Sequence, residues 1–185
     1  MNSTKIFQMS FTALMTAFLC VLAPLSIPIG PVPVSLTPMV ICLIVYLIGG
    51  LKGTICVALY LIIGIIGLPV FSGFGSGIGK LAGPTGGYII GFIFTAMICG
   101  GALFLGKGKI CWYIPGMIVG IIVLYIFGTA WFMISLKTDL KYTLKVCVYP
   151  FLPFDAAKIA IVAIVGPIIK KTMRKMSGAE KLLRY

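Results

Sequence analysis

Six apolar runs, each close to the length a helix needs to cross a lipid bilayer, dominate this chain and leave little between them. They occupy residues 6–26, 34–49, 53–69, 85–106, 112–134 and 146–169, against the roughly 20 residues that a hydrocarbon core of about 30 Å demands. In lipid every backbone N–H and C=O has to bond within the protein, so runs of this kind fold as helices. Only 10% of the residues are charged, where a soluble domain carries about 25%. The expected fold is therefore an all-α integral membrane domain of six transmembrane helices over residues 1–185, with no length left for a soluble catalytic domain. The first run ends in Pro24-Leu25-Ser26-Ile27-Pro28 without an A-x-A-like site, and is expected to be a span rather than a signal peptide.

The net charge of +12 invites a nucleic-acid reading, but its distribution argues for lipid instead. Lys170, Lys171, Arg174, Lys175, Lys181 and Arg184 crowd the C-terminal end, the pattern of a cytoplasmic segment beside anionic headgroups. No basic stripe with interleaved aromatics appears, so no nucleic-acid partner is expected. With the N-terminus inside, those six residues join Lys5, Lys52, Lys107 and Lys109 on the cytoplasmic side, against Lys80, Lys137, Lys141 and Lys145 outside. The excess of basic residues places both termini in the cytoplasm.

This orientation has a consequence. The second, fourth and sixth runs then start on the outer side, and each start carries proline: Pro33 and Pro38, Pro84, and Pro150 with Pro153. Proline suits the first helical turn, where its missing N–H costs nothing. Two irregular loops, 27–35 and 68–84, fall on the same side. Positive helix ends and Gly/Pro-rich loops thus gather where an anionic solute would arrive. Residues 49–53 and 106–109 read as tight turns, and 137–145 as a charged loop holding Asp139.

Enzymatic chemistry finds no support. The acidic residues are Asp139, Asp155 and Glu180, there is no histidine for acid–base work, and no nucleophile has an evident activating partner, so no catalytic residue is assigned. Cys20, Cys42, Cys56, Cys99, Cys111 and Cys147 are scattered without a CxxC pair and read as small hydrophobes, so neither a metal nor a cofactor is expected. Nor does anything resemble a channel filter or a ring of charge.

Asp155 and Lys158 are the strongest chemical signal. Three residues apart, they share one helix face, and each ionisable group inside a span costs about 2.5–3.5 kcal/mol by insertion scales. Such residues pair or face a polar cavity, so they read either as a binding pair or as a structural ion pair. Gly83-Pro84-Thr85-Gly86-Gly87-Tyr88 is the next, a helix start with unobstructed backbone N–H groups that serves ligand contact, or simple capping and close helix packing. Phe71-Ser72-Gly73-Phe74-Gly75-Ser76-Gly77-Ile78-Gly79-Lys80 lacks the glycine and the Ser/Thr of a phosphate loop, with Phe74 and Leu81 in those places. It reads as a mobile outer loop that closes over a solute with Phe71 and Phe74 as shields, or as a plain linker. Ser35 and Thr37 supply hydroxyls on a stiff elbow from Gly30 to Pro38. Ala13 and Ala17 form a small flat strip on the first helix that suits close approach by an internal helix or another subunit.

These motifs together resemble the BioY family, the biotin-specific substrate-binding components of energy-coupling factor transporters. The residues that carry the resemblance are Gly30-Pro31-Val32-Pro33-Val34-Ser35-Leu36, the GPTGGY block at 83–88 with Gly91-Phe92, and Asp155-x-x-Lys158. Ser35 stands where the family often has threonine, and Thr37 near its glutamine. The resemblance implies a six-helix subunit that captures biotin from outside, hydrolyses no ATP, and works with a transmembrane coupling component and two ATPases. It further implies Asp155 and Lys158 as contacts at or near the ureido ring, Thr85–Tyr88 as pocket wall, and Ala13 and Ala17 as the docking strip for the coupling protein. Lys80, the one basic residue in the loop beside the pocket, or the start of the fourth helix, is expected to neutralise the valerate carboxylate. A subunit for thiamine or riboflavin, and a membrane protein that transports nothing, stay open at this point.

Overall fold

The computed structural model describes residues 3–175. Glu180, Lys181 and Arg184 lie outside the described residues, as does the side chain of Arg174. Each apolar run contains one helix: α1 (Ser3–Leu22), α2 (Thr37–Ile48), α3 (Gly50–Ile66), α5 (Gly86–Leu105), α6 (Ile110–Leu136) and α8 (Leu152–Lys175). Two short helices, α4 (Gly77–Ala82) and α7 (Leu140–Cys147), and a hairpin of β1 (Ser26–Ile27) with β2 (Val34–Ser35) complete the fold. Lys5–Leu22, Gly86–Leu105, Ile110–Leu136 and Leu152–Met173 are long and apolar enough to cross a membrane, whereas α2 and α3 are apolar but shorter. The chain is a mostly helical, multi-pass membrane protein, and four of the six expected spans reach full length.

The shortness of α2 has a physical reason. Its 12 residues rise about 18 Å, well under the roughly 30 Å of a hydrocarbon core. Yet all but Met39 and Leu43 are buried, between α3, α5 and α8. A helix enclosed by its neighbours has no lipid to span against. The chain ahead of it is extended, and Ser26 pairs with Ser35 and Ile27 with Val34. Those ladder bonds allow non-helical backbone where a membrane protein tolerates it, buried in protein or lining a cavity.

The expected turn over 49–53 contracts to one residue. Gly49 alone separates α2 from α3, at φ 93° and ψ 163°, a region that L side chains avoid. Lys52 consequently lies in the first turn of α3 rather than in a loop. At that corner α3 meets α5 backbone to backbone, where a Cβ on Gly50 would stand 2.6 Å from Cα of Gly100. Small residues replace the hydrophobic effect as the means of close packing in lipid. The largest helix–helix interface joins α5 to α6.

The segment 137–145, expected as a loop, mostly folds as α7. Asp139 caps it, its carboxylate accepting the N–H of Lys141 at 3.4 Å. The helix turns Thr143 and Cys147 inward against α6 and leaves Leu140 and Tyr142 exposed. A hydropathy window cannot see a short amphipathic helix of this kind, because its lysines dilute the average. The sixth run accordingly starts late: 148–151 form an elbow, and α8 continues beyond 169 to Lys175.

The loop 68–84 is pinned rather than free. Gly73 N–H donates to the Pro24 carbonyl at 3.0 Å, Phe71 N–H to the Gly75 carbonyl at 3.0 Å, and α4 occupies its second half. By contrast α1 is peripheral, with 11% of its spanning window buried, and both Ala13 and Ala17 are exposed. The alanine strip therefore does not serve an internal helix contact.

Gly100→Leu should destabilise the protein by about 2 kcal/mol or more, since overpacking costs about 1–3 kcal/mol even where side chains can shift. Gly101→Ala, where a Cβ meets open space, should leave stability unchanged or slightly raised. Thermal unfolding of both variants in detergent checks this, and equal shifts would refute the crossing at Gly50.

Candidate functional site

Three of the proline-marked helix starts converge on one cavity. Pro38 from the first turn of α2, Thr85 from the N-cap of α5 and Asp155 from the first turn of α8 all line it. Val32, Pro33 and Ser35 come from the hairpin, Tyr60 from α3, Ser72 from the pinned loop, and Leu124 with Tyr125 from α6. Its empty space, counted out to the open mouth, is about 530 Å³. The walls are largely apolar and aromatic, with a few polar groups converging, the usual make-up of a small-molecule site.

Its polar centre is the carboxylate of Asp155. Lys158 Nζ donates to Oδ1 at 2.8 Å, and the Tyr125 hydroxyl donates to Oδ2. Both charged residues are buried, at 5% and 7% exposure. Three effects hold the negative charge away from water: the ammonium one turn along, the phenol from α6, and the positive end of the α8 dipole. An ionised carboxylate offers about four lone-pair sites. Two are taken, so acceptor capacity remains for a ligand N–H. The Lys158 stem lies along a small apolar cavity lined by Met39, Met117 and Ile121, while its head reaches Asp155.

Not every residue singled out in the sequence sits on the cavity wall. Asp155, Lys158, Thr85, Tyr88 and Ser35 do. Thr37 is buried outside that lining and donates to the Ala23 carbonyl at 3.3 Å, tying the start of α2 to the residue that follows α1. Gly86 and Gly87 lie in the packing seams: a Cβ on Gly86 would strike the Leu81 carbonyl, and one on Gly87 the Phe127 backbone of α6. The Gly86 N–H is bonded to the Gly83 carbonyl at 3.0 Å, and Trp131 Nε1 donates to that same oxygen at 3.0 Å. Phe71 is fully buried behind Tyr60, ring centroids 5.6 Å apart and edge to face, and Phe74 is exposed at the loop tip. Lys80 is half-buried on α4, outside the cavity lining, with its stem against Gly75.

Tyr88 ties the site together. Its ring occupies the space left by Gly128 on α6, where a Cβ would come within 2.3 Å, and its hydroxyl donates to the Cys147 carbonyl at 2.9 Å. That bond anchors the α7–α8 elbow that delivers Phe151 and Asp155. Sequence reading missed Tyr125, Tyr60, Leu124 and Phe151. Their signal is weak, since an aromatic or leucine in an apolar run looks the same facing a cavity as facing lipid. Among the described residues no group of three or more His, Cys, Asp or Glu side chains could hold a metal ion.

A multi-pass helical bundle with an ion-paired pocket under an extended hairpin defines a small-solute binding membrane protein. The profile of the BioY family matches residues 1–175. The chain belongs to that family. It is 36% identical over 165 residues to the biotin transporter BioY of Thermotoga maritima, covering 89% of this chain and 96% of that one. It is 34% identical over 169 residues to biotin transporter BioY2 of Lactococcus lactis, covering 90% and 91%. The crystal structure of the S-component for biotin from an ECF-type ABC transporter superposes with a TM-score of 0.86 at 31% identity, covering 100% of this chain and 99% of that one.

Lys158→Met should destabilise by about 3–5 kcal/mol, because it strands a buried carboxylate, and Asp155→Asn combined with Lys158→Met should recover most of that loss. A double-mutant cycle on thermal unfolding measures the coupling. Additive losses would show that the pair is not one unit.

Proposed function

We propose that this chain is a biotin-binding S component that takes up biotin at the cavity between the starts of α2, α5 and α8. The observation that carries the reading is the paired polar centre in an otherwise apolar pocket. A ureido ring has two N–H donors and one carbonyl on a flat bicycle. The spare acceptor sites of Asp155 suit the N–H groups, and the remaining protons of Lys158 suit the carbonyl. Val32, Ile89, Phe92, Leu124 and Phe151 supply apolar surface for the thiophane ring. Thr85, Tyr88 and Ser35 complete the wall, and Gly86 and Gly87 act by letting α5 approach Leu81 and α6.

In the same reading all six long helices cross the membrane, α2 and α3 completing their passage through extended or turn segments, and both termini face the cytoplasm. The valerate carboxylate points to the mouth, toward Lys80 or the N-terminal end of α5. The exposed Ala13–Ala17 strip meets the transmembrane coupling component, which two ATPases drive. The chain itself catalyses no reaction.

Equilibrium binding to the purified full chain tests this. Biotin should bind at micromolar concentration or below, and thiamine and riboflavin should not. Asp155→Asn should weaken binding by about 10- to 100-fold, the loss of one or two charge-assisted hydrogen bonds. A chain that prefers another vitamin, or binds none, would end the proposal. Lys80→Ala should weaken binding at low salt and less so at high salt. Unchanged affinity at both would assign the carboxylate to the helix start alone.

A further inference from the structure

Helix α7 does not leave the bundle; it folds back along the last turns of α6. Tyr88, packed on Gly128, reaches the Cys147 carbonyl, so the end of α7 stands level with that glycine. A groove remains between the two helices. Ile122, Tyr125, Ile126 and Ala130 line it from α6, and Leu144 and Val148 from α7 and the elbow, around about 710 Å³ counted out to the open side. Spacings of three and four put each set on one helix face, so two apolar ridges confront each other without meeting. Ala130, the smallest of these side chains, is exposed in the gap. Among the described residues no charged side chain lines the groove. The Tyr125 hydroxyl turns away to Asp155, and that of Thr129 is buried.

Ile122 and Ile126 are more than half exposed on a helix long and apolar enough to cross the membrane, so the open side of the groove meets the bilayer. Its lining runs along α6 from Ile122 to Met133, about 16 Å of helix axis. That is about half of a hydrocarbon core of about 30 Å, the depth of one leaflet. A narrow gap of this length between branched side chains suits a flexible run of methylenes. Lys141 and Lys145 are exposed on the polar side of α7, and amphipathic membrane helices hold such lysines among the headgroups. Asp139, the acid of that segment, caps the helix. The residues beyond 175 begin at the other end of α8, about 36 Å of helix away.

Tyr125 is the wall that this groove shares with the solute cavity. We propose that the groove seats one acyl chain of a bilayer phospholipid, which backs the Tyr125 ring and so holds its hydroxyl on Asp155. The seat itself does not depend on the solute; its effect on solute affinity rests on the biotin reading.

The full chain in vesicles of phosphatidylglycerol and phosphatidylethanolamine, with a trace of phosphatidylethanolamine carrying a mid-chain diazirine, tests the seat. After irradiation, mass spectrometry should find label at 122–130 and 144–148 several-fold above that at the exposed Ile55 and Ile62 of α3. A130W should bring groove labelling down to the α3 level, A130L should lower it in part, and I62W should leave it unchanged. Equal labelling of both faces, or labelling unaffected by A130W and A130L, would overturn the proposal. Groove labelling that falls as the protein-to-lipid ratio rises would overturn it in favour of a second copy of this chain. For the backing of Tyr125, biotin affinity in detergent should rise several-fold in the wild type when phosphatidylglycerol is added, and stay constant in A130W. A wild-type affinity indifferent to lipid would remove that role. A chain that binds no biotin would end the transport reading, and thermal unfolding then decides the backing. Added lipid should raise the wild-type midpoint more than that of A130W, and equal rises would refute it.

Discussion

A carboxylate and an ammonium buried inside an apolar bundle have to be held together, and much of the geometry around the cavity follows from that requirement. Asp155 and Lys158 satisfy each other within one turn of α8, but a single ammonium leaves one carboxylate oxygen to be served. Tyr125 serves it from α6. The start of α8 must therefore stand against the middle of α6, and the chain arriving from α7 must bend to put it there. The bend is held from a third direction by Tyr88 of α5, through the Cys147 carbonyl. Three helices are thus registered to one buried charge pair, which sits at the polar centre of the cavity rather than at a lipid-facing seam.

The same economy of polar groups explains the non-helical parts. A hairpin, a one-residue turn and a tethered loop are unusual furnishings for a membrane domain, because each exposes backbone that lipid cannot solvate. Here each has backbone groups bonded within the protein. The hairpin pairs with itself, and Leu36 N–H donates to the Leu25 carbonyl at its base. Gly49 bonds back to Val45. The loop 68–84 is held at Gly73 and by the Phe71 side chain against Gly64 and Tyr60. The hairpin and the loop lie at the end of α2 that lines the cavity, and the Gly49 turn lies at its opposite end.

Most of the fold was legible in the sequence because lipid imposes a simple rule, and each apolar run did yield a helix. The convergence of three helix starts could also be read, since proline marks first turns and alternate spans start on the same side. What escaped reading depends on long-range contact. Tyr125 sits in an unbroken apolar run thirty positions before its carboxylate partner, with nothing local to distinguish it from a lipid-facing tyrosine. Thr37 and Phe71 have the chemistry of pocket residues, yet tertiary packing turns both into supports. Helix α7 escaped because its two faces cancel in any average. Gly86 and Gly87 were open to two readings, and the structure places both where α5 packs closely, against Leu81 and against α6.

The enclosed α2 sets the depth of the solute pocket. Were α2 as long as α6, the floor of the pocket would rise to the level of the headgroups and the site would be a shallow dish in contact with water. Its 12 residues instead fall short of a hydrocarbon core by about two-fifths of its thickness, a length taken up by the hairpin and the cavity. A molecule held in the cavity accordingly lies against the first turn of α2 and between α5, α6 and α8, among helices rather than beyond their ends.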